Sequence, residues 1–127
     1  MLQRSVVKVA AWLEIIVGAS IATVPDLLCL LLFGTKPEGL GVTLARFAGV
    51  GLIALGIACL PSTGTTSRQG VVGLFVFNAG VTVLLAWVAV TTVHGIMLWP
   101  VVILHAAIAI ALALQLFTTK GGIAAGV

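Results

Sequence analysis

Residues 69–119 read QGVVGLFVFNAGVTVLLAWVAVTTVHGIMLWPVVILHAAIAIALALQLFTT, and none of them is aspartate, glutamate, lysine or arginine. This stretch is long enough for two transmembrane helices of about 20 residues each. A second uncharged stretch runs from Phe47 to Ser67. In the whole chain 61% of the residues are hydrophobic and 7% are charged, whereas a soluble domain has about 25% charged residues. We therefore predict an all-α integral membrane protein.

Proline, glycine and polar residues divide the chain into a single transmembrane domain over residues 1–127. We predict four membrane spans, at about residues 6–24, 40–60, 70–90 and 96–117. The apolar stretch DLLCLLLFG (residues 26–34) lies between Pro25 and Gly34. At 1.5 Å per residue it is too short to cross a core of about 30 Å, so we predict an interfacial or re-entrant half-helix. The Gly-rich end, residues 118–127, is predicted to be a loose tail.

The N-terminal segment also has features of a signal peptide. Arg4 and Lys8 precede an apolar stretch that ends in the small-residue run ASIA (residues 19–22). Glu14 would then lie inside the apolar part of the signal, which disfavours cleavage. We interpret the segment as a retained helix.

The cations predict the orientation. Arg4, Lys8, Arg68 and Lys120 fall on one side of a four-span protein, and Lys36 falls on the other side with two acidic residues. Cytoplasmic loops carry the excess of lysine and arginine, so both termini are predicted to be cytoplasmic, in the inner membrane of a bacterium. The cations are too dispersed to indicate a nucleic-acid partner.

Small residues are frequent within the predicted spans, and small residues allow transmembrane helices to approach closely. They predict a compact bundle or a helix face for a partner chain. The positions predicted to pack are Gly18, Ala22, Ala45, Gly49, Gly56, Gly73 and Gly80.

Four polar side chains fall inside the spans, namely Glu14, Arg46, Asn78 and His105. In the predicted topology they converge on one layer between the midplane and the outer leaflet. One interpretation is a buried polar layer that fixes helix register, with Glu14 and Arg46 neutralising each other. The others are a functional site (a proton relay, an ion path or a small-ligand pocket) and a set that faces a partner chain.

Motifs for catalysis and metal binding are missing from the sequence. The two histidines, His94 and His105, are eleven residues apart, which does not suit a shared metal or haem. Cys29 and Cys59 are interpreted as small buried hydrophobic residues. Trp99 lies where an interfacial anchor is expected. We expect no catalytic residue, no metal and no cofactor, but we do expect bound lipid.

Two families share features with this chain. LEIIVGASIATVPDLLCLLLFG (13–34), ARFAGVGLIALGIACLP (45–61) and LWPVVILHAAIAIALAL (98–114) together resemble small bacterial inner-membrane proteins of the DoxX-like group. This resemblance implies a four-helix bundle, often an accessory to another membrane system. The glutamate in AAWLEIIVGAS (10–20) also resembles the essential first-helix glutamate of small multidrug resistance exporters. The lack of tyrosine, the cation Arg46 and the outer segment 25–39 depart from that pattern.

The functional expectation is a small non-catalytic accessory or stabilising subunit. It would belong to a larger bacterial membrane complex and would pack against other integral membrane subunits, or against itself, through its small-residue faces. One alternative is a proton-coupled small-molecule transporter that uses Glu14. Another is a membrane redox or enzyme subunit that uses His105.

Overall fold

The computed structural model describes residues 2–60 and 67–118, and this part of the chain is all helical. Its helices are α1 (Leu2–Thr23), α2 (Pro25–Phe33), α3 (Leu40–Cys59), α4 (Arg68–Thr91) and α5 (Leu98–Thr118). All except α2 are long and apolar enough to cross a membrane. The prediction of a multi-pass bundle of four transmembrane helices with a short helix after the first span is confirmed. The predicted tail, apart from its first residue, lies outside the described residues.

Helix α4 begins slightly earlier than the sequence predicted. The Ser67 hydroxyl accepts a hydrogen bond from the Gly70 backbone N–H at 3.0 Å, which caps the helix N-terminus. The first turn therefore includes Arg68, which the sequence had placed in the preceding loop.

Glycine residues bring α1 and α3 into close contact. A Cβ on Gly18 would lie 2.6 Å from the Gly49 carbonyl oxygen, and a Cβ on Gly49 would lie 2.6 Å from the Gly18 carbonyl oxygen. A Cβ on Gly49 would also meet Ala22, and Gly56 lies against the backbone of Ala11 in the same way. Because no side chain separates the two backbones there, α1 and α3 form a tightly packed pair. Helices α4 and α5 form the second pair.

Two glycines of α4, Gly73 and Gly80, do not pack as predicted. In the part of the chain that the structure describes, nothing lies within 4 Å of a Cβ placed on either of them. The buried face of α4 contains Val71, Leu74 and Asn78. At about 100° per residue, each glycine is two positions beyond a buried residue and so lies on the opposite side of the helix. Since glycine has no side chain, nothing protrudes from the outer face of α4 at these two positions.

The short helix α2 is held by the connection between α4 and α5. The backbone N–H of Gly95 donates to the Leu32 carbonyl at 2.9 Å, and that of Met97 donates to the Leu31 carbonyl at 3.0 Å. A Cβ on Gly95 would overlap the Leu31 carbonyl group. The left-handed Gly34, with φ of 72°, ends α2 and donates to Leu30. These bonds satisfy carbonyls that a helix C-terminus leaves unpaired.

The buried apolar residues form two clusters along the bundle. One surrounds Val7, Cys59 and Leu74 near the α3–α4 connection, and the other surrounds Leu85 and Leu98 near α2. Asn78 and His105 fall between the two clusters in their own helices, and Glu14 follows the first cluster in α1. The fold therefore places polar side chains in a layer between two apolar ones.

Candidate functional site

Asn78 is the centre of a buried hydrogen-bond network that joins three helices. Its side-chain amide donates to Glu14 Oε1 on α1 at 3.3 Å and to the Leu74 carbonyl at 2.9 Å. Its Oδ1 lies 2.7 Å from Nδ1 of His105 on α5. Asn78 is fully buried, and Glu14 is 3% exposed. The network therefore links α1, α4 and α5 away from the ends of the helices.

The Leu74 carbonyl determines the orientation of this amide and the tautomer of the histidine. A carbonyl oxygen can only accept, so the Asn78 atom facing it must be Nδ2, which places Oδ1 toward His105. Oδ1 can also only accept, so Nδ1 of His105 must carry the proton of the hydrogen bond between them. In a neutral imidazole the other ring nitrogen, Nε2, is then a hydrogen-bond acceptor.

Local packing holds each member of the network in place. Thr82 donates its hydroxyl to the Asn78 backbone carbonyl at 2.8 Å, one turn along α4. The His105 ring meets the Phe77 ring edge to face, with centroids 6.1 Å apart. Glu14 is one turn before Gly18, where α1 and α3 are in closest contact. The ring contact with Phe77 restricts the rotamer of His105, and the hydrogen bonds to Glu14 and Leu74 restrict that of Asn78.

A cavity of about 510 Å³ lies against this network. Glu14 and His105 are part of its wall, and the remaining lining is almost entirely apolar. All five helices contribute to the lining, which consists of Glu14, Val17, Ile21, Leu28, Cys29, Leu32, Phe33, Ala45, Ala48, Gly51, Leu52, Leu55, Phe77, Val81, Leu85, Val101 and His105. The volume is within the range of about 300–1,000 Å³ that is typical of small-molecule pockets.

We infer that the cavity opens sideways between α3 and α4. These helices meet near their connection, where Cys59 Sγ lies 3.5 Å from the Gly70 carbonyl oxygen. Elsewhere they contact each other far less than α3 contacts α1 or α4 contacts α5. Ala48 and Gly51 line the cavity and are also exposed at the surface of α3. Because both belong to a membrane-length helix, the opening faces the lipid.

Arg46 does not belong to the network, contrary to the sequence prediction. It is exposed, and no ion pair joins it to Glu14 in the part of the chain that the structure describes. The cavity face of α3 contains Ala45, Ala48 and Leu52. At about 100° per residue, Arg46 lies roughly 160° around the helix from Ala48. Its depth was predicted from residue number, but its direction was not considered.

One further predicted residue has other surroundings than expected. Ala45, predicted to pack, lines the cavity. Its small side chain and that of Ala48, with the lack of a side chain at Gly51, leave the space that forms the cavity.

Trp99, the predicted interfacial anchor, is 45% exposed in the first turn of α5, and its ring centroid lies 6.5 Å from that of His94. Its anchoring role stays a prediction.

The sequence did not predict that Cys29 lies at the cavity. Cys29 of α2 lines the cavity, although the sequence indicated only a small buried hydrophobe. Cys29 reaches the cavity because of the position of α2. Backbone hydrogen bonds link this helix to Gly95, which is distant in the sequence, so a local sequence pattern does not predict where α2 lies. Among the described residues, no three His, Cys, Asp or Glu side chains are grouped closely enough to hold a metal ion.

No family model, no curated protein and no solved structure matches this chain. The resemblances to the DoxX-like group and to small multidrug resistance exporters therefore stay predictions.

Proposed function

We propose that this membrane protein binds a small, mostly apolar molecule that enters from the lipid bilayer. The observation that supports the proposal is the cavity of about 510 Å³, with apolar walls from five helices and two polar side chains at one position. A molecule dissolved in the bilayer can reach it through the gap between α3 and α4 without crossing water. Glu14 and His105 then hold its polar end, and Asn78 positions both of them.

This proposal accounts better for the polar side chains than a register-fixing layer does. Such a layer needs every polar group to be paired internally, since an unpaired one in a membrane is costly. Its expected cation, Arg46, is exposed on another side of α3. Glu14 pairs through Oε1, whereas Oε2 has no hydrogen-bond partner among the described residues. A carboxyl group with one oxygen left over beside a cavity is suited to a ligand.

The proposal is tested by photolabelling in lipid vesicles. A dodecane that carries a diazirine in mid-chain should label cavity residues such as Phe77 and Leu52, as mapped by mass spectrometry. Ala48→Trp should reduce this labelling at least fivefold, because the indole fills the opening. The matched control is Val50→Trp, a substitution at a position on the same helix that is 59% exposed and does not line the cavity. Equal labelling of the two variants and the unaltered protein would contradict the proposal.

A second candidate function, that of an accessory subunit in a larger membrane complex, is supported by Arg46. This residue is exposed six positions into a membrane-length helix, at a depth of roughly 9 Å. An arginine there needs a lipid phosphate or an acidic group of another protein. Purification in mild detergent should then recover a membrane partner in fixed ratio, and Arg46→Gln should release it. An unaltered yield of partner with Arg46→Gln would count against this function.

We further propose the inner membrane of a bacterium as the location, with both termini cytoplasmic. The support is the excess of lysine and arginine on one side of the bundle. In a variant without the native cysteines, Ser67→Cys should react with an impermeant maleimide in inverted vesicles but not in intact cells. Lys36→Cys should show the reverse pattern, and the same side for both positions would refute the topology.

A further inference from the structure

We infer that the ligand of this cavity is a single-chain amphiphile whose polar end is a hydroxyl group. This inference rests on the proposed function and adds the chemistry of the ligand. It follows from the hydrogen-bonding atoms that the network leaves unused, and from the volume of the cavity.

Two atoms of the network are free to bind a ligand. Glu14 Oε1 is occupied by the Asn78 amide, and Oε2 has no partner among the described residues. His105 Nδ1 is occupied by Asn78 Oδ1, and within the same described region Nε2 has none. Both residues line the cavity. The ligand therefore meets one carboxyl oxygen and one ring nitrogen whose lone pair can accept.

A hydroxyl group matches this pair in number and type. It has one donor and two acceptor lone pairs. It can donate to His105 Nε2 while accepting from the Glu14 carboxyl group in its protonated form. It can also donate to Glu14 when that carboxyl group is ionised. In both cases the polar end of the ligand is hydrogen-bonded in an otherwise apolar space.

Other polar ends match less well. A carboxylate has no donor, so it leaves the acceptor Nε2 without a partner and can pair with Glu14 only when Glu14 is protonated. An ammonium group has no acceptor, so it cannot pair with the donor of a protonated Glu14, and a buried donor without a partner is costly. A plain hydrocarbon leaves both Glu14 Oε2 and His105 Nε2 unsatisfied.

The volume sets the size of the apolar part. One water molecule occupies about 30 Å³ in the liquid. On that scale, the cavity of about 510 Å³ has room for roughly 15 to 20 methylene or hydroxyl groups, each about as large as a water molecule. An alcohol with one chain of about 12 to 16 carbons fits inside, whereas a phospholipid with two chains would have to leave part of itself in the bilayer.

The experiment is competition photolabelling of the full chain in phosphatidylcholine nanodiscs. The diazirine-bearing dodecane is the probe, and the competitors are 1-dodecanol, dodecylamine, dodecanoic acid and dodecane. We expect 1-dodecanol to displace the probe at about one tenth of the concentration that dodecane requires, as one hydrogen bond would give. In His105→Phe this preference should fall, because only Glu14 then remains to bind the hydroxyl group. Arg46→Gln, which removes a polar side chain outside the cavity, should keep it.

The outcomes separate this inference from the proposed function. If 1-dodecanol and dodecane compete equally for the labelled cavity, the hydroxyl inference fails and the binding function stands. The inference is likewise overturned if dodecylamine is the best competitor, because an ion pair with Glu14 would then decide the ligand. If the probe never labels the cavity of the unaltered protein, both fail. A far-ultraviolet circular dichroism spectrum of His105→Phe that matches that of the unaltered protein shows that this variant retains the fold, so that its lost preference supports the inference.

Discussion

The substitution Asn78→Leu tests whether the network holds the two helix pairs together. Leucine has the same number and branching of side-chain heavy atoms as asparagine but no polar atom. The change removes the hydrogen bonds to Glu14 and His105, which connect α4 to α1 and to α5. It also leaves Glu14 Oε1 and His105 Nδ1 buried without their partner.

The expected loss of stability follows from these two interhelical bonds. A side-chain hydrogen bond between membrane helices contributes on average about 0.6 kcal/mol. Two such bonds therefore contribute about 1.2 kcal/mol. Leaving two buried polar atoms unpaired raises the cost, since each such group costs about 1–3 kcal/mol. We expect Asn78→Leu to lower the free energy of unfolding by about 3–7 kcal/mol, which adds both effects.

The assay is reversible unfolding in mixed micelles with increasing sodium dodecyl sulfate, followed by far-ultraviolet circular dichroism. The matched control is Thr82→Val, which removes the hydroxyl bond to the Asn78 backbone carbonyl within one helix. This control should change the free energy of unfolding by less than about 0.5 kcal/mol, because the carbonyl keeps its helical bond. If Asn78→Leu is no less stable than Thr82→Val, the network does not hold the bundle and the reasoning is refuted.

Three further predictions concern contacts away from this network. Gly49→Ala should destabilise the protein by at least about 2 kcal/mol in the same assay, because its Cβ would strike the α1 backbone. Gly73→Ala, which meets nothing, should stabilise it by up to about 1 kcal/mol through helix propensity, and a reversed order of these two variants would contradict the packing. Gly95→Ala should detach the end of α2 and increase hydrogen exchange at the amides of residues 95 and 97, whereas unchanged exchange would exclude the link. Cys29, which lines the cavity, should be alkylated by N-ethylmaleimide, and excess 1-dodecanol should slow this reaction. The buried Cys59 should react slowly with or without the alcohol. Equal protection of both cysteines would contradict binding of the alcohol in the cavity.

The sequence was sufficient for the four spans and for the shared depth of Glu14, Asn78 and His105. Span length and lack of charge are local properties, and depth follows from counting residues along a helix. Direction around the helix axis was the information not used. With it, Arg46 is assigned to the outer face of α3, and Gly73 to the outer face of α4.

The cavity depends on distances between helices that no local pattern reports. Ala45, Ala48 and Gly51 are small residues of the kind that usually bring helices together. They do so only where a partner backbone approaches, as Gly18 approaches Gly49. Beside α4 the same kind of residue borders empty space, because α3 contacts α4 so little. The sequence cannot distinguish these two situations without knowing which helices are neighbours.

The hydrogen bonds that hold α2 have a consequence for the order of biosynthesis. The acceptors are the carbonyls of Leu31 and Leu32, whereas the donors are the amides of Gly95 and Met97, more than sixty residues later in the chain. During synthesis from the N-terminus, α1, α2 and α3 all leave the ribosome before these donors exist. The cavity that α2 lines is thus completed only once the start of the last span has been synthesised. Until then, the carbonyls of Leu31 and Leu32 lack these two hydrogen-bond partners.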